Sequence, residues 1–447
     1  MKPILTLAGE LAARKTTSQA LVEDALMRIA VPSGEGARVF LRTHRESALA
    51  EAKASDTLRA HGIVPSPLAG IPVSVKDLFD VAGDITRAGS KALADAIPAK
   101  VDATVVRRLR QAGAIIVGRT NMVEFAFSGL GLNPHYGTPK NPWDRATGRI
   151  PGGSSSGAAV SVSDGMAAMG LGTDTGGSVR IPAALCGLTG FKPTARRIPR
   201  DGTFPLSTTL DSIGPIAPSV ACCALVDSIL AGDTALVPAA LPLKGLRLGV
   251  VQDYVLEGLD SGVADAFGKA LSRLSAAGAS VTEVRFEALQ RLPQLNQKGA
   301  LVVAEAYAIH RELLARRKAD YDPRVASRTL RGADVSAADY IDVLAQRAAM
   351  IADSARLAAP YDALLMPTVV MVAPAIAPLE TDDQLYGKTN LAILRNPGVV
   401  NFLDGCALSI PCHQPSQGPV GLMVVGQSGE DRRLLAVGLA LESALVR

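Results

Sequence analysis

The chain has 447 residues, 48% of them hydrophobic and only 4% aromatic, enough for a large globular core built mainly from Ala, Val, Leu and Ile. Its 46 basic and 42 acidic side chains leave a formal charge of +4 and gather in no run, which excludes a nucleic-acid arm or a polybasic membrane segment and favours a small, roughly neutral substrate. Cys186, Cys222, Cys223, Cys406 and Cys412 lack zinc or CxxC spacing and read as small buried hydrophobes of a reducing cytoplasm.

The start turns polar by Glu10, against a signal peptide, and the most apolar stretch, Ala363 to Leu379, is broken by three prolines, so neither export nor a membrane span is expected. In chain order, apolar residues from Leu21 to Ile29 at helical spacing predict an amphipathic helix over residues 17–30. Ile71, Val73 and Val75 mark a short strand that ends at Lys76. A helix is expected from Asp102 to Ala112, a buried strand from Ala114 to Val117, and a capping box at Asn121–Glu124 that opens another helix.

From Gly152 a Gly/Ser loop leads into a small-residue helix, Ser156 to Met169, and then a strand or loop through Gly177. Later strands are expected at Leu246–Val251, Ser280–Val284, Ala363–Met366 and Val420–Val425, with helices at Val263–Ala277 and Arg432–Leu445. This alternation is an α/β signature, read as a large mixed, mostly parallel β-sheet flanked by helices. No linker demands a split, so residues 1–447 are expected to form a single domain.

Gly153-Ser-Ser-Ser-Gly157 has the letters of a nucleophile elbow, which would make Ser155 a nucleophile with His310 or His413 as its base. The approach from Asn141 to Pro151 is not the apolar strand an elbow needs. A phosphate cradle lacks its lysine, and no S-x-x-K occurs. The five histidines lie far apart without ligand spacing, so no metal or cofactor is expected. With histidine set aside, the hydrolytic options narrow to an amine activating a hydroxyl, which turns attention to Lys76. An amine must be desolvated to act as a base near pH 7, and the apolar company of Lys76 is compatible with that; a solvated lysine after a strand is the alternative. Gly176-Gly177-Ser178 lets consecutive N–H groups converge as in an oxyanion hole, or is a simple tight turn; Asp174 and Arg180 are placed to form an ion pair across that loop.

Together, Gly152-Gly-Ser-Ser-Ser-Gly-Ala-Ala159, Gly172-Thr-Asp-Thr-Gly-Gly-Ser-Val-Arg-Ile-Pro-Ala183 and Cys186-Gly-Leu-Thr-Gly-Phe-Lys-Pro-Thr194 resemble the signature block of the amidase signature family. Gly70–Asp77, Gly118–Phe125, Asp362–Thr368 and Gly418–Gly426 resemble its flanking segments in the same order, so the likeness covers nearly the whole chain. The resemblance implies a cofactor-independent serine amidase with a Ser-cisSer-Lys triad: Ser178 as nucleophile, Ser154 as the cis-serine bridge, and Lys76 as general base. It implies backbone N–H groups of Thr175, Gly176, Gly177 and Ser178 facing the oxyanion, and Ser154 rather than Ser155 by the 24-residue interval to the nucleophile. Ser156 departs from the glycine common in the family. Met122, Phe125 and Phe127 are the candidate lining of an apolar acyl pocket, with plain core as the alternative. The expected partner is a small-molecule amide, aliphatic or aryl; a homo-oligomer stays open. Rival readings are the amidase component of a tRNA-dependent amidotransferase and a catalytically silent binding protein of the same fold.

Overall fold

The computed structural model describes residues 1–234, 237–297, 299–415 and 417–445. Its frame is one eleven-stranded sheet. The strands are β1 (Phe40–Thr43), β2 (Pro72–Lys76), β3 (Ile115–Thr120), β4 (Gly170–Asp174), β5 (Thr189–Lys192), β6 (Ser212–Ala217), β7 (Arg247–Val251), β8 (Ser280–Val284), β9 (Ala363–Pro367), β10 (Cys406–Pro411) and β11 (Gly421–Gly426). They lie in the order β1-β3-β2-β4-β6-β5-β10-β11-β9-β7-β8. The sheet is mixed, but six of its ten pairings are antiparallel, so its parallel share is smaller than the sequence suggested. The parallel pairs form two blocks, β3-β2-β4 and β9-β7-β8.

The β2 run is β-branched, with Pro72 at its first residue where a missing N–H is tolerated. Every residue of β2, β3 and β4 is buried, because helices cover both faces of this block. Lys76 and Asp174 therefore sit at the carboxyl ends of adjacent parallel strands, where open α/β sheets hold their ligands.

Helices form at Ser18–Ala30, Thr104–Gln111, Ser261–Ala276 and Asp431–Leu445, close to their expected bounds. Two expectations need correction. The helix after the Gly/Ser loop runs only Ser156–Ser163 and stops at Gly165, whose φ of +71° a side-chain-bearing residue rarely adopts. Asn121–Glu124 opens no α-helix: Glu124–Ala126 is a single 3-10 turn with Phe125 at φ +49°. The Glu124 carboxylate accepts from Ser90 Oγ, His135 Nε2 and the Asp322 N–H instead of capping Asn121. Asn121 spends its own amide on the carbonyls of Arg38 and Gly137. A capping box does form at Ser336 and Asp339, opening the helix Ala337–Ala358.

Candidate active site

Lys76 is fully buried, and its Nζ donates to Ser154 Oγ at 2.7 Å and to Thr173 Oγ1 at 3.0 Å. Burial pushes its pKa down to about 7, against the pull of the Asp211 and Asp174 carboxylates, which favour the charged amine. The Gly153–Ser154 peptide bond is cis. Backbone contacts fix this loop in place: the Gly153 N–H donates to Gly129 O at 2.8 Å, and Ser154 O accepts from Val123 N–H at 3.1 Å. The Ser155 N–H reaches Ser178 O at 3.3 Å and ties the Ser154 loop to the turn that carries Ser178. Lys76 and Ser154, 78 residues apart in sequence, thus meet through a side-chain hydrogen bond, and the Ser154 loop is tied to the Ser178 turn, although the Ser178 hydroxyl itself makes no hydrogen bond among the described residues.

Asp174 organises the turn. Its Oδ1 accepts from the Gly177 N–H at 2.8 Å, Arg180 Nη2 at 2.9 Å and Asn401 Nδ2 at 2.9 Å, while Oδ2 accepts from the Val179 N–H at 3.1 Å and Arg180 Nε at 3.0 Å. The ion pair expected across the loop is present and wholly buried. Burial alone would raise the Asp174 pKa, but Arg180, Lys192 and Asn401 outweigh it and hold the carboxyl well below the usual range. Gly177 sits at φ +123°, and a Cβ there would lie 2.6 Å from Pro397 Cβ, so only glycine fits. Of the expected oxyanion donors, the Gly177 N–H donates to Asp174, whereas those of Thr175, Gly176 and Ser178 meet no acceptor among the described residues.

Breaking this pair leaves a buried guanidinium without its carboxylate, the costly case for buried charges. Asp174→Ala is expected to lower unfolding stability by about 3–5 kcal/mol. Denaturant titration checks it, and adding Arg180→Met to that variant is expected to recover part of the loss.

Ser155 Oγ points to Thr173 O at 3.4 Å, and no histidine contacts it among the described residues. His310 is buried instead, with Nδ1 3.0 Å from Tyr321 Oη, and burial pushes its pKa down to about 4. His413 faces Val420 O. The elbow reading thus loses both of its bases. Among the described residues no three His, Cys, Asp or Glu side chains form a metal-holding group.

Met122, Phe125 and Phe127 are all buried. Phe125 packs in an aromatic cluster, its ring 4.4 Å from His310, 4.9 Å from Tyr321 and 5.3 Å from Phe204. The segment that carries all three touches the serine loop at two points, Val123 N–H on Ser154 O and Gly129 O on Gly153 N–H. Arg328 stacks 5.2 Å over the Phe127 ring, donates to Phe127 O and interacts with Tyr386 and, more remotely, the Asp322 carboxylate. Sequence reasoning missed Thr173, Asp211 and Arg328. Thr173 stands in the signature block beside Asp174 and had a local signal; Asp211 and Arg328 had none.

The Amidase family model matches residues 20–435. Over 399 residues the chain is 37% identical to the 2-amino-5-chloromuconic acid deaminase of Comamonas testosteroni, covering 88% of this chain and 86% of that protein. Over 466 residues it is 34% identical to a glutamyl-tRNA(Gln) amidotransferase subunit of Chloroflexus aggregans, covering 97% and 94%. A crystal structure described as an amidase superposes with a TM-score of 0.89 at 34% identity, covering 99% of this chain and all of that one.

Proposed function

The chain belongs to the amidase family and is an amide-hydrolysing enzyme, and we propose that it acts through an acyl-Ser178 intermediate with neutral Lys76 and Ser154 as its proton relay. The observation that carries this reading is the fully buried Lys76 amine, its pKa lowered to about 7, held 2.7 Å from Ser154 Oγ. As Ser178 Oγ bonds to the substrate carbonyl carbon, its proton passes to Ser154 and the Ser154 proton to Lys76. The N–H groups of Thr175, Gly176 and Ser178 donate to the oxyanion. Collapse breaks the C–N bond, and the departing nitrogen takes the proton back from Lys76 through Ser154. Water then adds to the acyl carbon by the same relay, releasing the acid and restoring Ser178.

The single sheet supports reading residues 1–447 as one amidase domain. Five free, buried cysteines support a cytoplasmic setting, and no described helix is long and apolar enough to cross a membrane. The substrate is a small-molecule amide. Arg328, a half-buried guanidinium that stacks on Phe127 and forms no salt bridge among the described residues, suits an amide that also bears a carboxylate, in keeping with the acid that names the Comamonas testosteroni relative. Arg328→Met is expected to lower kcat/KM for carboxylate-bearing amides by about 10²-fold, and for matched neutral amides by far less. An equal loss on both classes contradicts this assignment.

The extent of the match to the amidotransferase protein favours a second reading, ammonia release from glutamine for a partner protein. Glutaminase activity that appears only when such a partner is added distinguishes it from autonomous hydrolysis of a small amide.

A further inference from the structure

Thr175 follows the last residue of β4 and Asp211 precedes the first residue of β6. The antiparallel register that pairs Asp174 with Ser212 brings these two flanking residues together at the end of the sheet. Thr175 Oγ1 donates to Asp211 Oδ1 at 2.5 Å, while Asp211 Oδ2 accepts the N–H groups of Leu206 at 2.9 Å and Ser207 at 3.1 Å. The loop holding Asp211 is pinned from its other side by Glu305, on the helix Ala300–Arg317. The Glu305 carboxylate accepts from Ser207 Oγ, from the N–H and hydroxyl of Thr209, and from Tyr340 Oη. A chain of buried acceptors therefore runs from the C-terminal helices to the first residue of the turn that carries Ser178.

We propose that Asp211 is a positioning residue for amide hydrolysis: its carboxylate holds Thr175, and with it the turn bearing the Gly176 and Ser178 N–H groups, while its charge acts on the Lys76 amine. The proposal rests on the roles read above for Lys76 and Ser178. The negative charges of Asp211 and Asp174 both favour the protonated Lys76 amine, that of Asp211 the more strongly. Asp174 is neutralised by Arg180 and approached by Lys192, whereas Asp211 has no ion pair among the described residues; its more distant cation is Arg200. The neighbouring Asp77 is paired with Arg119. Burial raises the Asp211 pKa, against Thr175, the Ser207 and Leu206 N–H groups and Arg200.

The sign follows from the charge. Removing Asp211 disfavours protonated Lys76, so the neutral amine persists to lower pH. In Asp211→Asn, whose amide still reaches Thr175 and the two N–H groups, the acid limb of kcat/KM is expected to move down by about 1 pH unit with little loss on the plateau. Thr175→Val keeps the charge and removes the hydroxyl, and is expected to lower kcat by about 10-fold with the limb unmoved. Asp211→Ala is expected to combine the limb shift with the loss seen in Thr175→Val, and the Thr175→Val/Asp211→Ala double variant to lose no more kcat than Asp211→Ala alone. Asp211→Asn and Thr175→Val carry the test should the alanine variant not fold. An unmoved limb in Asp211→Asn, or losses that multiply in the double variant, overturns the proposal. A wild-type enzyme without an acid limb near pH 7 would instead refute the reading of Lys76 on which it rests.

Discussion

Ser178→Ala is expected to lower kcat for amide hydrolysis by about 10⁶-fold, the loss typical of removing the nucleophile from a serine hydrolase. The hydroxyl is nearly buried at the head of a turn built around the Asp174–Arg180 pair, and it contributes no hydrogen bond to the fold among the described residues. Stability should therefore change by no more than about 0.5 kcal/mol, which separates a chemical loss from a structural one. The neighbouring serine supplies the control. Ser155 spends its hydroxyl on a 3.4 Å contact with Thr173 O, and Ser155→Ala is expected to keep kcat within about 10-fold of the wild type. Steady-state kinetics and thermal melts on both variants check this pair of outcomes, and equal losses in the two contradict the choice of nucleophile.

Lys76→Met is expected to lower kcat by about 10⁴-fold, the upper range for loss of a general base. The substitution conserves length and replaces an amine that has no counter-ion in hydrogen-bond contact among the described residues by a thioether, so the folded state is expected to survive it. Its more telling effect is on pH. The proposed relay uses neutral Lys76, so wild-type kcat/KM should rise with pH through about 7 and level off above it. That one-proton limb should be missing from the residual activity of Lys76→Met. A limb that persists unchanged in the variant assigns the titration to another group.

Much of this site was legible because its parts stand in ordered motifs. Gly176-Gly177-Ser178 announces a tight turn by itself, and the φ of +123° at Gly177 with Pro397 against it is why glycine stands there. Lys76 was legible only as a lysine at a strand end; what desolvates it is the burial of β2 between β3 and β4, which no local pattern encodes. Asp211 left no trace in the sequence because its partner Thr175 is 36 residues away, joined to it by the register of two strands. One of those strands, β6, was itself missed: Gly214 and Pro215 interrupt its pattern, yet a Cβ on Gly214 would lie 2.0 Å from Phe191 O, so close strand approach demands the glycine that hides the strand. The Asn121–Glu124 motif failed for the opposite reason. Its letters match a capping box, but Glu124 is recruited by Ser90, His135 and Asp322, contacts with distant segments that outcompete a local cap.

A fluorophosphonate probe shows whether Ser178 is the nucleophile of an amidase driven by a neutral lysine. The purified enzyme is labelled from about pH 5 to about pH 9, and the adduct is located by mass spectrometry in the wild type, Ser178→Ala and Lys76→Met. A single adduct on Ser178 is expected, absent from the first variant, slowed in the second, and forming faster as pH rises through about 7. An adduct on Ser155, or an enzyme that turns over amides while Ser178 stays unlabelled, would contradict this expectation.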